Sequence, residues 1–103
     1  TGRRKHPRKG PLMKCVISVL GKDSTGIVAA VATTLAACRA NIDDISQTIL
    51  GDEEIFSMTM LITLEPEVCD FNTVQEKLHA VADELGMQII IQREDVFQFM
   101  YQV

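Results

Sequence analysis

The sequence predicts an α+β fold of order β-α-β-β-α-β, with a four-stranded antiparallel sheet, two helices on one face and a short C-terminal helix. Three observations carry this. An apolar, β-branched run ending at Leu20 passes through a polar loop with two glycines into an Ala-rich helical stripe. Two strand-like runs, 41–50 and 55–64, are separated only by the polar turn Gly51-Asp52-Glu53-Glu54. A second helical stripe then closes at Gly86 and hands over to a last apolar run.

Taken in order, the first strand is placed at Lys14 to Leu20, nearly all apolar, as suits a central strand covered on both faces. Helix one is expected from about Gly26 to Ala40. Its stripe is Ile27, Val28, Val31, Leu35 and Cys38, spaced three and four apart so as to share one face. Asp23, Ser24 or Thr25 is expected to cap its first free N–H groups, and Arg39 suits the negative pole of its dipole. Asn41 to Leu50 begins polar and passes into rough alternation, the pattern of an edge strand. From Ile55 to Leu64, Phe56, Met58, Met60, Ile62 and Leu64 share one face, which is predicted to be buried, and Pro66 ends the run.

Helix two starts from Asp70 as N-cap and carries Phe71, Val74, Leu78, Val81 and Leu85 on its apolar side, with Gly86 as left-handed C-cap. Strand four is Met87 to Gln92. Val96, Phe97, Met100 and Tyr101 then suggest a short third helix. Right-handed crossovers place strands one and three in the centre and two and four at the edges of this ferredoxin-like βαββαβ sandwich. The face away from the helices still holds apolar residues, so the C-terminal helix or a second subunit is expected to cover it.

Composition bounds the rest. The 103 residues suffice for one core. Residues 1–12 hold Arg3, Arg4, Lys5, Arg8 and Lys9 without an acid, and read as a disordered basic tail added for expression or by a misplaced start, with Met13 the natural beginning of a single domain spanning 13–103. Setting aside those five cations takes the formal charge from −4 to −9, a balance that repels phosphate backbones and disfavours nucleic-acid binding by the core. No apolar run is long enough to cross a membrane. Cys15, Cys38 and Cys69 show no Cys-x-x-Cys spacing, and their odd number points to a reducing cytoplasm; Cys15 and Cys38 lie in apolar patterns and are expected to be core thiols.

Sites for catalysis or metals are not assembled. Asp43 and Asp44 are adjacent on a strand, where alternate pointing separates two carboxylates. Asp52, Glu53 and Glu54 lack the ligand spacing of a calcium loop, and His79 falls on the outer side of helix two. An acylphosphatase-like site needs an arginine in the first loop, where this chain has Lys22. A metal carrier needs paired cysteines there, and an RNA reader needs exposed aromatics on the central strands. Neither set is present. What remains is the loop Gly21-Lys22-Asp23-Ser24-Thr25-Gly26-Ile27, whose glycines and helix start suit either capping or the carboxylate of a small ligand.

That loop, paired with Asn41-Ile42-Asp43-Asp44-Ile45-Ser46-Gln47 and an ending Arg93-Glu94-Asp95-Val96-Phe97, closely resembles the ACT domain family, in particular its small single-domain bacterial and archaeal proteins. The resemblance implies a regulatory, non-enzymatic dimer without a cofactor that binds an amino acid or similar small metabolite between subunits. The implied contacts are Gly21, Lys22, Asp23, Ser24, Thr25, Gly26 and Ile27 from the loop, and Asn41, Ile42 and Asp43 from a neighbour's second strand. The alternative is an interaction subunit that regulates a partner enzyme or transcription regulator without binding a metabolite.

Overall fold

The structure is a computed structural model, and it describes residues 11–22, 26–51 and 55–95. The elements run β1 (Met13–Gly21), α1 (Ile27–Ala37), β2 (Asn41–Leu50), β3 (Ile55–Leu64), α2 (Phe71–Leu85) and β4 (Gln88–Arg93). The strands form one antiparallel sheet in the order β2-β3-β1-β4, the predicted topology. Most of the basic tail, the turn 52–54 and residues 96–103 of the expected third helix lie outside the described residues; Glu94 and Asp95 begin a helical turn. Among the described residues no helix is long and apolar enough to cross a membrane.

Register fixes which side chains meet the helices. Cys15, Ile17 and Val19 of β1 stand in rows with Ile62, Met60 and Met58 of β3, and all are buried. Ile89 and Ile91 of β4 extend the rows. Onto this floor α1 lays Ile27, Val31 and Leu35, and α2 lays Val74, Leu78 and Ala82. Burying aliphatic side chains of this size contributes about 1.5–3 kcal/mol each, which makes this single layer the principal source of stability. Ala82 joins Val74 and Leu78 as the buried stripe of α2, while Phe71 and Val81 are half-buried against it and Leu85, expected on the apolar side, is exposed at the final turn. On the opposite face Val16 is buried, while Leu20, Leu61 and Ile90 are exposed.

Helix ends depart from expectation in two places. The N-cap of α1 is Gly26, in the left-handed region at φ 79°, and not Asp23, Ser24 or Thr25, so the cap residue has no side chain to offer the first N–H groups. Helix α1 also stops three residues earlier than its alanines suggest. Arg39 adopts φ 62°, and the Arg39 and Ala40 N–H groups turn back to the Ala36 and Leu35 carbonyls. This is the closing turn that glycine ordinarily supplies, here made by a residue with a Cβ. Helix α2 follows the expected rules: the Asp70 carboxylate accepts the Thr73 N–H at 2.9 Å, and Gly86 closes it at φ 69°.

A left-handed arginine costs about 1 kcal/mol that glycine would not incur. The Arg39→Gly variant is therefore expected to melt a few degrees higher, and an unchanged or lower midpoint in a calorimetric scan would show that the Arg39 side chain compensates for its backbone.

Candidate functional site

The described residues among the ten singled out by sequence fall at opposite ends of the sheet. Gly21 closes β1 beside Phe56 and Ile49, at the end where the β1–α1 loop leaves. Asn41 opens β2 beside Thr63, which pairs with Lys14 at the start of β1. Seven residue steps along β1 separate these ends, roughly 23 Å at strand rise. One chain therefore does not bring the described residues of the two groups together.

At the loop end, Gly21 is half-buried, Lys22 and Gly26 are exposed, and the Ile27 side chain is buried in the core, leaving only its backbone accessible to a ligand. A Cβ at Gly21 would collide with the Met87 thioether, so the absence of a side chain lets the α2–β4 connection close against the strand end. Asp23, Ser24 and Thr25 lie outside the described residues.

At the other end the edge strand is irregular. Ile42 pairs with Ile62 and Asp44 with Leu61, so Asp43 is an extra residue, a β-bulge. Its carboxylate ties the irregularity down. Thr63 Oγ1 donates to Asp43 Oδ2 at 2.6 Å, Asn41 Nδ2 donates to Oδ1 at 2.6 Å, and Lys14 Nζ stands 3.6 Å from Oδ2. Lys14 also approaches the Thr63 hydroxyl at 3.4 Å. Thr63 is the one buried polar residue among those described, and this chain of bonds satisfies it. Partial burial pushes the Asp43 carboxyl upward, but the bonds from Thr63 and Asn41, then the charge of Lys14, outweigh it and hold the group below its ordinary value. Asp43 bonds to Thr63, and Asp44 stands in the row of Leu61 and Val16, so both acids are on the face away from the helices. This corrects the expectation that alternation separates them: the bulge cancels the alternation at that step.

The bulge also resets the strand. Beyond it Ile45, Gln47 and Ile49 pair with Met60, Met58 and Phe56, on the helix side. Helix α1 does not reach across them: Ile45 is 38% and Ile49 57% exposed. The Lys14–Thr63–Asp43–Asn41 network was not read from sequence, although the three-residue step from Ile42 to Ile45 breaks a period of two and signals the extra residue.

Neither Cys15 nor Cys69 is activated as a thiolate. Burial pushes Cys15 up to about 11 against the opposing charge of Arg93. Cys69 also rises to about 11, by burial and then by a hydrogen bond with Cys38. Both remain protonated near neutrality. Among the described residues no three potential metal ligands gather.

The antiparallel β2-β3-β1-β4 sheet with its two helices is a ferredoxin-like domain, and the chain belongs to the ACT domain family, a regulatory family whose pattern it matches over residues 14–92. It is 42% identical over 92 residues to a UPF0237 protein of Methanocaldococcus jannaschii, covering 89% of this chain and all of that one. The solved ACT domain protein from Streptococcus pneumoniae superposes with a TM-score of 0.71 at 40% identity, covering 84% of this chain and 94% of that one. The regulatory subunit of aspartate kinase from Thermus flavus aligns with a TM-score of 0.57 at 27% identity, over 80% of this chain and 52% of that one.

The Asp43 carboxylate gives a pH signature. Its folded value lies below the ordinary 3.8, so its contribution is present above the ordinary value and is lost as pH falls past it and through the lower folded value. Asp43→Asn is expected to cost about 1 kcal/mol at neutral pH. The gap between variant and wild-type melting midpoints then shrinks as pH falls from about 5 to about 3. A gap that stays constant over that range would show that the charge does not hold the bulge.

Proposed function

We propose that this chain is a non-enzymatic sensor subunit that dimerises along its β2 edges and binds an amino acid between the β1–α1 loop of one protomer and the start of β2 in the other. The observation that carries this reading is the separation of the two groups of residues within one chain. Two β2 strands paired antiparallel about a two-fold axis set the start of one against the end of the other. The end of β2 lies in register with Gly21, where the loop crosses toward α1. Pairing thus closes the gap that a single chain leaves open.

The exposed helix-side isoleucines support the same arrangement. Ile45 and Ile49 belong to the core face by register yet lack a cover. A neighbour's helix layer continuing over a joined sheet would supply one. Unpaired edges invite association, and β2 carries no proline or lysine to blunt it. In the site, N–H groups at the start of α1 suit a carboxylate, and Asn41 and Asp43 offer oxygens with spare lone pairs for an ammonium. Membership in a regulatory family and three free thiols fit a cytoplasmic, non-catalytic role.

A second reading draws on the aspartate kinase regulatory subunit, a protein that by its description regulates an enzyme. On that reading the same edge docks a partner protein and no metabolite is bound.

Sedimentation equilibrium at micromolar concentration is expected to return a dimer, and Ile45→Asp a folded monomer; a wild-type monomer would remove the assembled site. Thermal melts against the twenty amino acids are expected to show one ligand raising the midpoint by several degrees at about a hundred times its dissociation constant, where the gain is roughly 2.7 kcal/mol. Asp23→Ala and Asn41→Ala should each abolish that shift without unfolding the domain. Silence toward every amino acid up to millimolar would favour the partner-binding reading.

A further inference from the structure

Two of the three thiols meet where one helix ends and the other begins. Cys38 is the C-cap of α1, and Cys69 directly precedes Asp70, the N-cap of α2. They stand 31 positions apart in the chain, with the whole β2–β3 hairpin between them, yet a hydrogen bond joins their side chains. Cys38 is buried in the core cluster, and Cys69 packs against that cluster half-buried.

Neither sulfur hangs from a loose segment. The Cys38 N–H bonds to the Thr34 and Leu35 carbonyls at 3.2 and 3.0 Å, and the Cys69 N–H to the Glu65 carbonyl at 3.0 Å. One residue on, the Asp70 carboxylate is held by the Thr73 N–H. Two thiols presented to each other from fixed backbone have the high effective concentration that favours a bond between them. Their exposures differ, and this divides the roles: an oxidant from solvent reaches Cys69, and Cys38 stands behind it to complete the bridge. Cys15, the third thiol, lies on β1 near Arg93, Glu94 and Asp95 and serves as an internal control.

We propose that Cys38 and Cys69 form a reversible oxidation site that closes an intrachain disulfide when the protein meets a peroxide. The Cys69 Sγ, having shed its proton, attacks one peroxide oxygen; the O–O bond breaks, and the departing hydroxide takes a proton to become water, leaving a sulfenic acid. The Cys38 Sγ then attacks the Cys69 sulfur, the S–O bond breaks, and hydroxide leaves with the Cys38 proton as a second water. The two thiols together give up two electrons, which the peroxide accepts, and a dithiol reductant returns them. Burial, the bond with Cys38 and the charge of Asp70 keep Cys69 protonated against the pull of Lys77, so the bridge forms slowly, under sustained oxidant. A link closed around the hairpin restricts the unfolded chain more than the folded one, so the oxidised form is the more heat-stable.

The test treats the intact, reduced chain with hydrogen peroxide, then unfolds and alkylates it for mass spectrometry, with a thermal melt of the oxidised protein alongside. One cysteine in three, Cys15, is expected to take the alkylating group, and a digest should contain a peptide joining Cys38 to Cys69. The oxidised chain should melt several degrees higher than the reduced one, and dithiothreitol should reverse both changes. Cys69→Ser, a change at a half-buried position, should lose the bridge and the rise in midpoint, while Cys15→Ser should keep them. Three alkylated cysteines after prolonged peroxide, oxygen added to Cys69 with Cys38 still free, or a bridge between two chains would each overturn the proposal. So would an intrachain bridge that lowers the midpoint, because the link would then form only by distorting the helix ends.

Discussion

The extra residue in the edge strand governs how this domain meets its surroundings. Asp43 belongs to β2 but has no place in its ladder, and a two-residue strand period allows only one consequence: every side chain beyond it changes face. Ile45 and Ile49 are thereby sent to the helix side, and Asp44, Ser46 and Thr48 to the other. Without the bulge the outer strand would show polar groups to the helix layer and isoleucines to the far face. The network of Lys14, Thr63 and Asn41 around the Asp43 carboxylate holds that choice, joining the start of β1 to the end of β3 and the start of β2.

From this constraint the proposed assembly follows. A core face that runs past its own helices has uncovered isoleucines at an unpaired edge, and an antiparallel copy of that edge covers them while bringing the strand start to the loop. Binding and dimerisation are then one event in physical terms. A ligand seated between a loop of one protomer and a strand of the other binds the pair and not the separated chains, and so stabilises the pair in proportion to its occupancy. That linkage would give the proposed sensor a means of reporting a metabolite.

Much of the fold was legible because its signals are periodic. The even-numbered face of β3 is buried as its spacing indicates, and so is the stripe Ile27, Val28, Val31, Leu35 and Cys38 except for Val28, which is half-buried against the core. Sheet order followed from the β2–β3 hairpin together with the handedness of the crossovers. Misreadings occurred where a single backbone conformation overrides a pattern. Helix α1 carries no glycine at its end, so nothing in the run of alanines shows that Arg39 turns left-handed and stops it. The cap of α1 was sought in Asp23, Ser24 and Thr25 because they have side-chain acceptors, whereas Gly26 holds the position by its conformation. The candidate site was legible as residue types and not as a place. Its two halves are adjacent in no single chain, and the sequence of one protomer does not encode distance to another.

The most direct test of a site shared between chains is complementation. Asp23→Ala and Asn41→Ala chains are each purified, mixed in equal amounts, allowed to exchange, and titrated with the amino acid that best stabilises the wild type. A shared site requires that mixed dimers hold one intact site and one doubly altered site, so binding should return to about a quarter of the wild-type capacity. No recovery on mixing, with dimers still formed, would place both halves of the site in one chain and contradict the account.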